Sequence, residues 1–105
     1  MRQQMARQGD VLIVPRKAPI PASATTVPRD HGRVILAYGE VTGHAHALLD
    51  EDVTLFADGE LRMLAVDEVS RLVHEEHGTI ELAPGLYDVI RQREYSPEEI
   101  RNVAD

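Results

Sequence analysis

The chain of 105 residues contains no cysteine and no tryptophan. Without cysteine there is neither a disulfide framework nor thiolate chemistry. Aromatic residues are scarce, one Phe and three Tyr, which leaves little for base stacking or for a carbohydrate platform. Positive charge is in deficit too: 11 Lys and Arg stand against 18 Asp and Glu, a formal charge of -7. Such a surface repels a phosphate backbone. The basic residues near the start (Arg2, Arg7, Arg16, Lys17) and near the end (Arg91, Arg93) are too dispersed to override it, so no nucleic-acid partner is expected. No apolar run approaches the ~20 residues that cross a bilayer, and the opening MRQQMARQGD lacks the apolar stretch of a secretion signal. A soluble, cytoplasmic protein with no membrane partner is the expectation. Phosphate-cradling glycine motifs are missing, and Ser23, Ser70 and Ser96 have no nucleophile-elbow context.

What is present suits one small β domain. The apolar fraction of 43% is ordinary for a chain that folds, and the length is that of a single domain with a radius of gyration of about 13 Å. Residues 1–9 are polar and are predicted to form a flexible N-terminus. Asp10–Pro15 reads as a buried strand closed by proline. Pro19, Pro21 and Pro28 make residues 16–33 a long extended loop. From Val34 onward short apolar runs follow at close intervals: VILAYG, HAHALL, VTLFA, ELRMLAV, RLVHEE, TIEL and LYDVIRQREY. Asp58-Gly59 is a hairpin signal of the type I′ kind, and Pro84-Gly85 marks another tight turn. The pattern predicts a mostly β domain over residues 10–105, a small antiparallel barrel or sandwich of seven to eight short strands. Ser96-Pro97-Glu98-Glu99 predicts one short C-terminal helix over residues 96–104, with a capping serine and proline at the first helical position.

Four of the five histidines lie in two tight clusters. In VTGHAHALL, His44 and His46 are two residues apart, so on a strand both imidazoles project from one face, which they share with Leu48. The second cluster is LVHEEHG, carrying His74 and His77. Parity places His74 with Leu72, whereas His77 needs the turn implied by Gly78 to bring it round. The expected metal ligands are His44, His46 and at least one of His74 and His77. Glu75 and Glu76 are placed to orient a ligating ring or to take a proton from bound water. His31, in the turn-like Asp30-His31-Gly32, reads as a solvated side chain. The competing reading is two separate pairs on outward faces.

His44-Ala45-His46, followed after four residues by Glu51, and the later Gly78 and Pro84-Gly85 resemble the motifs of the cupins over about residues 39–90. That resemblance implies a small β-barrel with a metal held by His44, His46 and Glu51. The cupin ligand after the second turn has no histidine counterpart, since Tyr87 and Asp88 stand there. In ligand pattern alone, a paired H-x-H strand with a third histidine is similar to the zinc site of α-type carbonic anhydrases.

Three neutral histidines leave zinc one open position, and water bound there has its pKa lowered to ~7. The expected function is therefore a zinc enzyme that activates water for hydration or hydrolysis of a small-molecule substrate. With iron or manganese, oxygenase or isomerase chemistry of the cupin kind is the alternative. The rival from another class is a non-catalytic, homo-oligomeric assembly or structural metal module, since a domain this small often completes its core by oligomerising. The two readings separate on metal content.

Overall fold

The computed structural model describes residues 2–39 and 43–92. The helix expected over residues 96–104 lies outside the described residues. Within them the chain is all β, as ten strands in two antiparallel sheets. The strands are β1 (Ala6–Gln8), β2 (Val11–Pro15), β3 (Thr25–Thr26), β4 (Val34–Tyr38), β5 (Ala45–Leu48), β6 (Val53–Asp58), β7 (Leu61–Val66), β8 (Ser70–Val73), β9 (Ile80–Leu82) and β10 (Gly85–Arg91). One sheet runs β1-β2-β10-β7-β6-β3 and the other β4-β5-β8-β9. The sheets are not closed into a barrel, so the sandwich alternative of the sequence reading holds, with more strands than the expected seven to eight. No helix among the described residues is long and apolar enough to cross a membrane.

The core lies where the two sheets face each other. Val11, Ile13, Val53, Leu55, Leu64, Val66 and Tyr87 from the larger sheet form one buried cluster with Val34, Ala37, Leu48, Leu72 and Leu82 from the smaller. Alternation explains it: Val11 and Ile13 point inward from β2, as do Leu64 and Val66 from β7. Tyr87 is fully buried and donates its hydroxyl hydrogen bond to the Ala83 carbonyl, which satisfies the one polar atom it carries into the core.

Three local expectations change. Residues 6–8, expected within a flexible N-terminus, form β1 and pair with β2 through Gln8↔Val11. The strand expected from Asp10 begins at Val11, because Gly9 and Asp10 form the two-residue turn of this hairpin. Gly9 has φ 58 while Asp10 is not in the positive-φ region, which fits a type II′ turn with glycine at its first central position. The β6–β7 hairpin is built the same way. Asp58 pairs with Leu61, so the turn residues are Gly59 (φ 60) and Glu60, one step beyond the expected Asp58-Gly59. The proline-rich stretch 16–33 is not wholly loop: Thr25 and Thr26 add an edge strand to β6.

A β-bulge interrupts β4 between Ile35 and Ala37. Ile35 pairs with Ala47, but Ala37 rather than Leu36 pairs with His46. The bulge thus sets a small side chain opposite the histidine where unbroken register would set a leucine.

Replacing Tyr87 by Phe should lower stability by about 1–2 kcal/mol by stranding the buried Ala83 carbonyl. Urea denaturation should show this as a lower midpoint at an unchanged slope.

Candidate metal centre

Strand register alone brings the two histidine clusters together. Leu48 pairs with Leu72 and Ala47 with Val73 in the antiparallel β5–β8 ladder. Carried on past β8, the same register sets His46 beside His74, Ala45 beside Glu75 and His44 beside Glu76. The side chains follow. The His46 and His74 ring centroids are 4.3 Å apart, Glu75 Oε1 accepts from the Ala45 amide at 2.9 Å, and Glu76 Oε2 meets His44 Nδ1 at 2.9 Å. His77 is brought round after His74, with its ring 4.6 Å from His74 and 5.8 Å from His46. His44 lies 5.9 Å from His74 on the other side. Four imidazoles on one tetrahedral ion have ring centroids roughly 5 Å apart, so these separations are of the right size. Both members of the second cluster reach the first, and the picture of two separate outward pairs does not describe the chain.

Exposure falls steeply across the group. His46 is 2% exposed, His44 and His74 are half-buried and His77 is exposed. Burial, chiefly, and then the neighbouring His74 push the His46 pKa below its ordinary value, with a smaller push from His77 and against the pull of Asp10. The neutral ring is the form a metal needs.

Hydrogen bonds assign the protons. Gln8 is 2% exposed and donates from Nε2 to the carbonyls of Leu72 at 3.0 Å and Gly78 at 2.9 Å. Its Oε1 therefore faces His46 Nδ1, 2.8 Å away, and can only accept. His46 thus carries its proton on Nδ1 and a lone pair on Nε2. His44 is held alike, because its Nδ1 partner is a carboxylate. Both match the outer-sphere support that fixes a ligating tautomer. His74 is the exception. Its Nδ1 accepts from the Glu76 amide at 3.0 Å, so in the neutral ring the proton sits on Nε2. As they stand, no three His, Cys, Asp or Glu side chains among the described residues are placed to hold a metal ion.

The sequence reading missed three contributors, all in the β1–β2 hairpin of the other sheet. Gln8 is the amide just described. Gly9 approaches so closely that an added Cβ would lie 2.8 Å from His77 Nε2 and 3.2 Å from His46 Cε1. Asp10 places Oδ1 3.4 Å from His46 Nε2. Its other oxygen accepts from Arg91 Nε at 3.0 Å. Burial would raise the Asp10 pKa, but the hydrogen bond and charge of Arg91, aided by its own backbone, outweigh this and hold it below the usual carboxylate range. The signal was the Gly-Asp dipeptide ahead of an apolar run, a hairpin mark in its own right.

Glu75 and Glu76, the expected catalytic carboxylates, are both exposed. Glu75 is held below its usual pKa, first by the Ala45 amide. Glu51 is exposed in the turn after β5, at the end of that strand opposite His44. His31 is exposed and pairs with its neighbour Asp30.

One family model, described as Domain of unknown function (DUF8820), matches residues 7–92, a span that takes in every residue of the cluster. No curated protein and no solved structure matches the chain.

Gly9→Ala and Gly59→Ala form a matched pair, since both glycines open a two-residue turn at nearly equal φ and Gly59 has open space around it. Each change should cost about 1–2 kcal/mol for the left-handed backbone. Gly9→Ala should cost clearly more, and should shift the ring resonances of His46 and His77 in NMR spectra while Gly59→Ala leaves them in place.

Proposed function

We propose that this chain, which belongs to the family of Domain of unknown function (DUF8820), is a divalent-metal protein. In this reading zinc is held by His44 and His46 with His74, His77 or both, and activates water for hydration or hydrolysis of a small-molecule substrate. The observation that carries the reading is the orientation of His46. A buried imidazole whose Nδ1 proton is fixed on Gln8 Oε1 leaves Nε2 as its free nitrogen, with the His74 and His77 rings beside it and His44 beyond His74. The amide is itself locked by two carbonyls, so it holds the ring in the tautomer that a metal requires.

The chemistry follows from ligand number. Three neutral imidazoles leave zinc one open position, where it supplies hydroxide at neutral pH. Glu76 keeps His44 in the ligating tautomer, and Glu75 ties the start of β5 to the segment that carries His74. His74 enters the ligand set only when its Nδ1 releases the Glu76 amide, either to bind the ion itself or to take up the proton that Nε2 gives up. The exposed edge at His77 gives water and a small electrophile a route to the buried ring of His46. Iron or manganese on the same donors would favour oxygenase or isomerase reactions instead, and the identity of the bound ion separates the two.

Protein purified without a histidine tag should contain about one zinc per chain by elemental analysis. His46→Ala should remove at least about nine-tenths of it while the β circular-dichroism spectrum is kept. Carbon dioxide hydration or ester hydrolysis should track zinc content and fall away on acidification, as protons compete with the ion for the imidazole nitrogens. Wild-type protein that neither retains zinc nor takes it up on addition would overturn the proposal.

A further inference from the structure

His46 Nε2 and Asp10 Oδ1 face each other at 3.4 Å, longer than an ordinary N–H···O hydrogen bond. The Gln8 amide fixes the ring, because its Oε1 holds a proton on His46 Nδ1 and turns Nε2 toward the carboxylate. Arg91 fixes the carboxylate. It donates from Nε to Asp10 Oδ2 at 3.0 Å and from Nη2 to the Tyr38 carbonyl at 2.7 Å, which leaves Oδ1 as the oxygen turned to the ring. A cation between the two atoms, a proton on Nε2 or a metal ion, satisfies both, and the spacing separates these cases. Two donors on one tetrahedral zinc, with bonds near 2.0–2.2 Å, stand about 3.4 Å apart. The observed spacing equals that figure.

We infer that Asp10 is a ligand of the same ion as His46, and that the ion therefore staples the β1–β2 hairpin of the six-stranded sheet to the β5–β8 end of the four-stranded one. The inference rests on the metal reading of the histidine cluster and adds to it a carboxylate and a structural consequence. Asp10 is well fixed for the role. Its backbone carbonyl accepts from the Gln92 amide at 2.8 Å, and its turn is closed by the Gln8↔Val11 pair. Gly9 beside it has no side chain to hold the hairpin away from the rings of His46 and His77. The ligand set is then mixed, histidine with one carboxylate, and Arg91 is a positioning residue that chooses which oxygen faces the ion.

The test compares zinc binding by the full-length wild-type chain, Asp10→Asn and Arg91→Gln, with zinc chloride as titrant and a chromophoric chelator as competitor. Both variants break the Asp10–Arg91 pair, but only the first removes the ligand. Asp10→Asn should weaken zinc by about 100-fold or more, beyond the 10–100-fold typical of outer-shell changes, and Arg91→Gln clearly less. Zinc should slow amide exchange over residues 6–14 in wild type and in Arg91→Gln, and leave it unchanged in Asp10→Asn. Should Asp10→Asn fail to fold, the Asp10 carboxyl ¹³C resonance of the wild-type chain gives the same answer, since it should move on zinc addition. Zinc binding by wild type with Asp10→Asn within about threefold of it, or a still Asp10 resonance, overturns this inference alone. No zinc binding by wild type overturns it together with the metal reading.

Discussion

Gln8 directs both amide protons at the carbonyls of Leu72 and Gly78, and its oxygen then has one role left, to accept the Nδ1 proton of His46. The rest of the cluster is arranged around this contact. Leu72 lies one residue before the last paired residue of β8, Val73, and Gly78 lies four residues after His74, so the same side chain fixes both ends of the segment that carries His74 and His77. It does so from the other sheet. A buried amide with every partner supplied is strongly held, because losing any one would strand a polar group away from water. The tautomer of His46 is therefore a property of the fold rather than of the ring.

From that point two physical tendencies pull against each other. Strand register places His46 beside His74 and His44 beside Glu76, as close as β neighbours stand. At His46 burial first, and then the neighbouring His74, disfavour the charged ring. Yet the surrounding groups are largely acceptors: the Glu76 carboxylate at His44, the Gln8 oxygen at one nitrogen of His46 and the Asp10 carboxylate at the other. Acceptors gathered around a ring whose own protonation is disfavoured are the surroundings that the proposed metal reading requires.

Much of this was legible in the chain. The two-residue spacing of His44 and His46 fixes a common face wherever the segment is a strand, because side chains alternate without exception along regular β structure. The parity of His74 with Leu72 followed from the same rule and was enough to bring it to His46. His77 could not be placed that way, since a turn rather than a strand positions it. The β1–β2 contribution was hidden for a different reason. Ala6-Arg7-Gln8 has a polar, short, unremarkable pattern, and its burial comes from pairing with β2 at the edge of the larger sheet, a long-range choice that no local window encodes. The bulge that places Ala37 opposite His46 is equally silent in the sequence, as VILAY reads as an unbroken strand. Asp58-Gly59 shows the scale of local error: the hairpin was evident, and glycine sits at the first central position instead of the second.

The position of Arg91 bears on how a doubly charged ion and a partly buried site are reconciled. Neutral imidazoles bring no charge, so an all-histidine site would leave two positive charges beside a ring that is 2% exposed, at a cost that rises as water is excluded. As a ligand, the Asp10 carboxylate would halve that charge beside the most buried ring of the cluster. The guanidinium of Arg91 partly restores it, but on the far oxygen, and its second contact is with the Tyr38 carbonyl of the smaller sheet. The same pair of residues therefore bridges the sheets already through hydrogen bonds. An ion at Oδ1 would complete a junction whose protein part is in place, and the exposed side at His77 is where its remaining charge meets water.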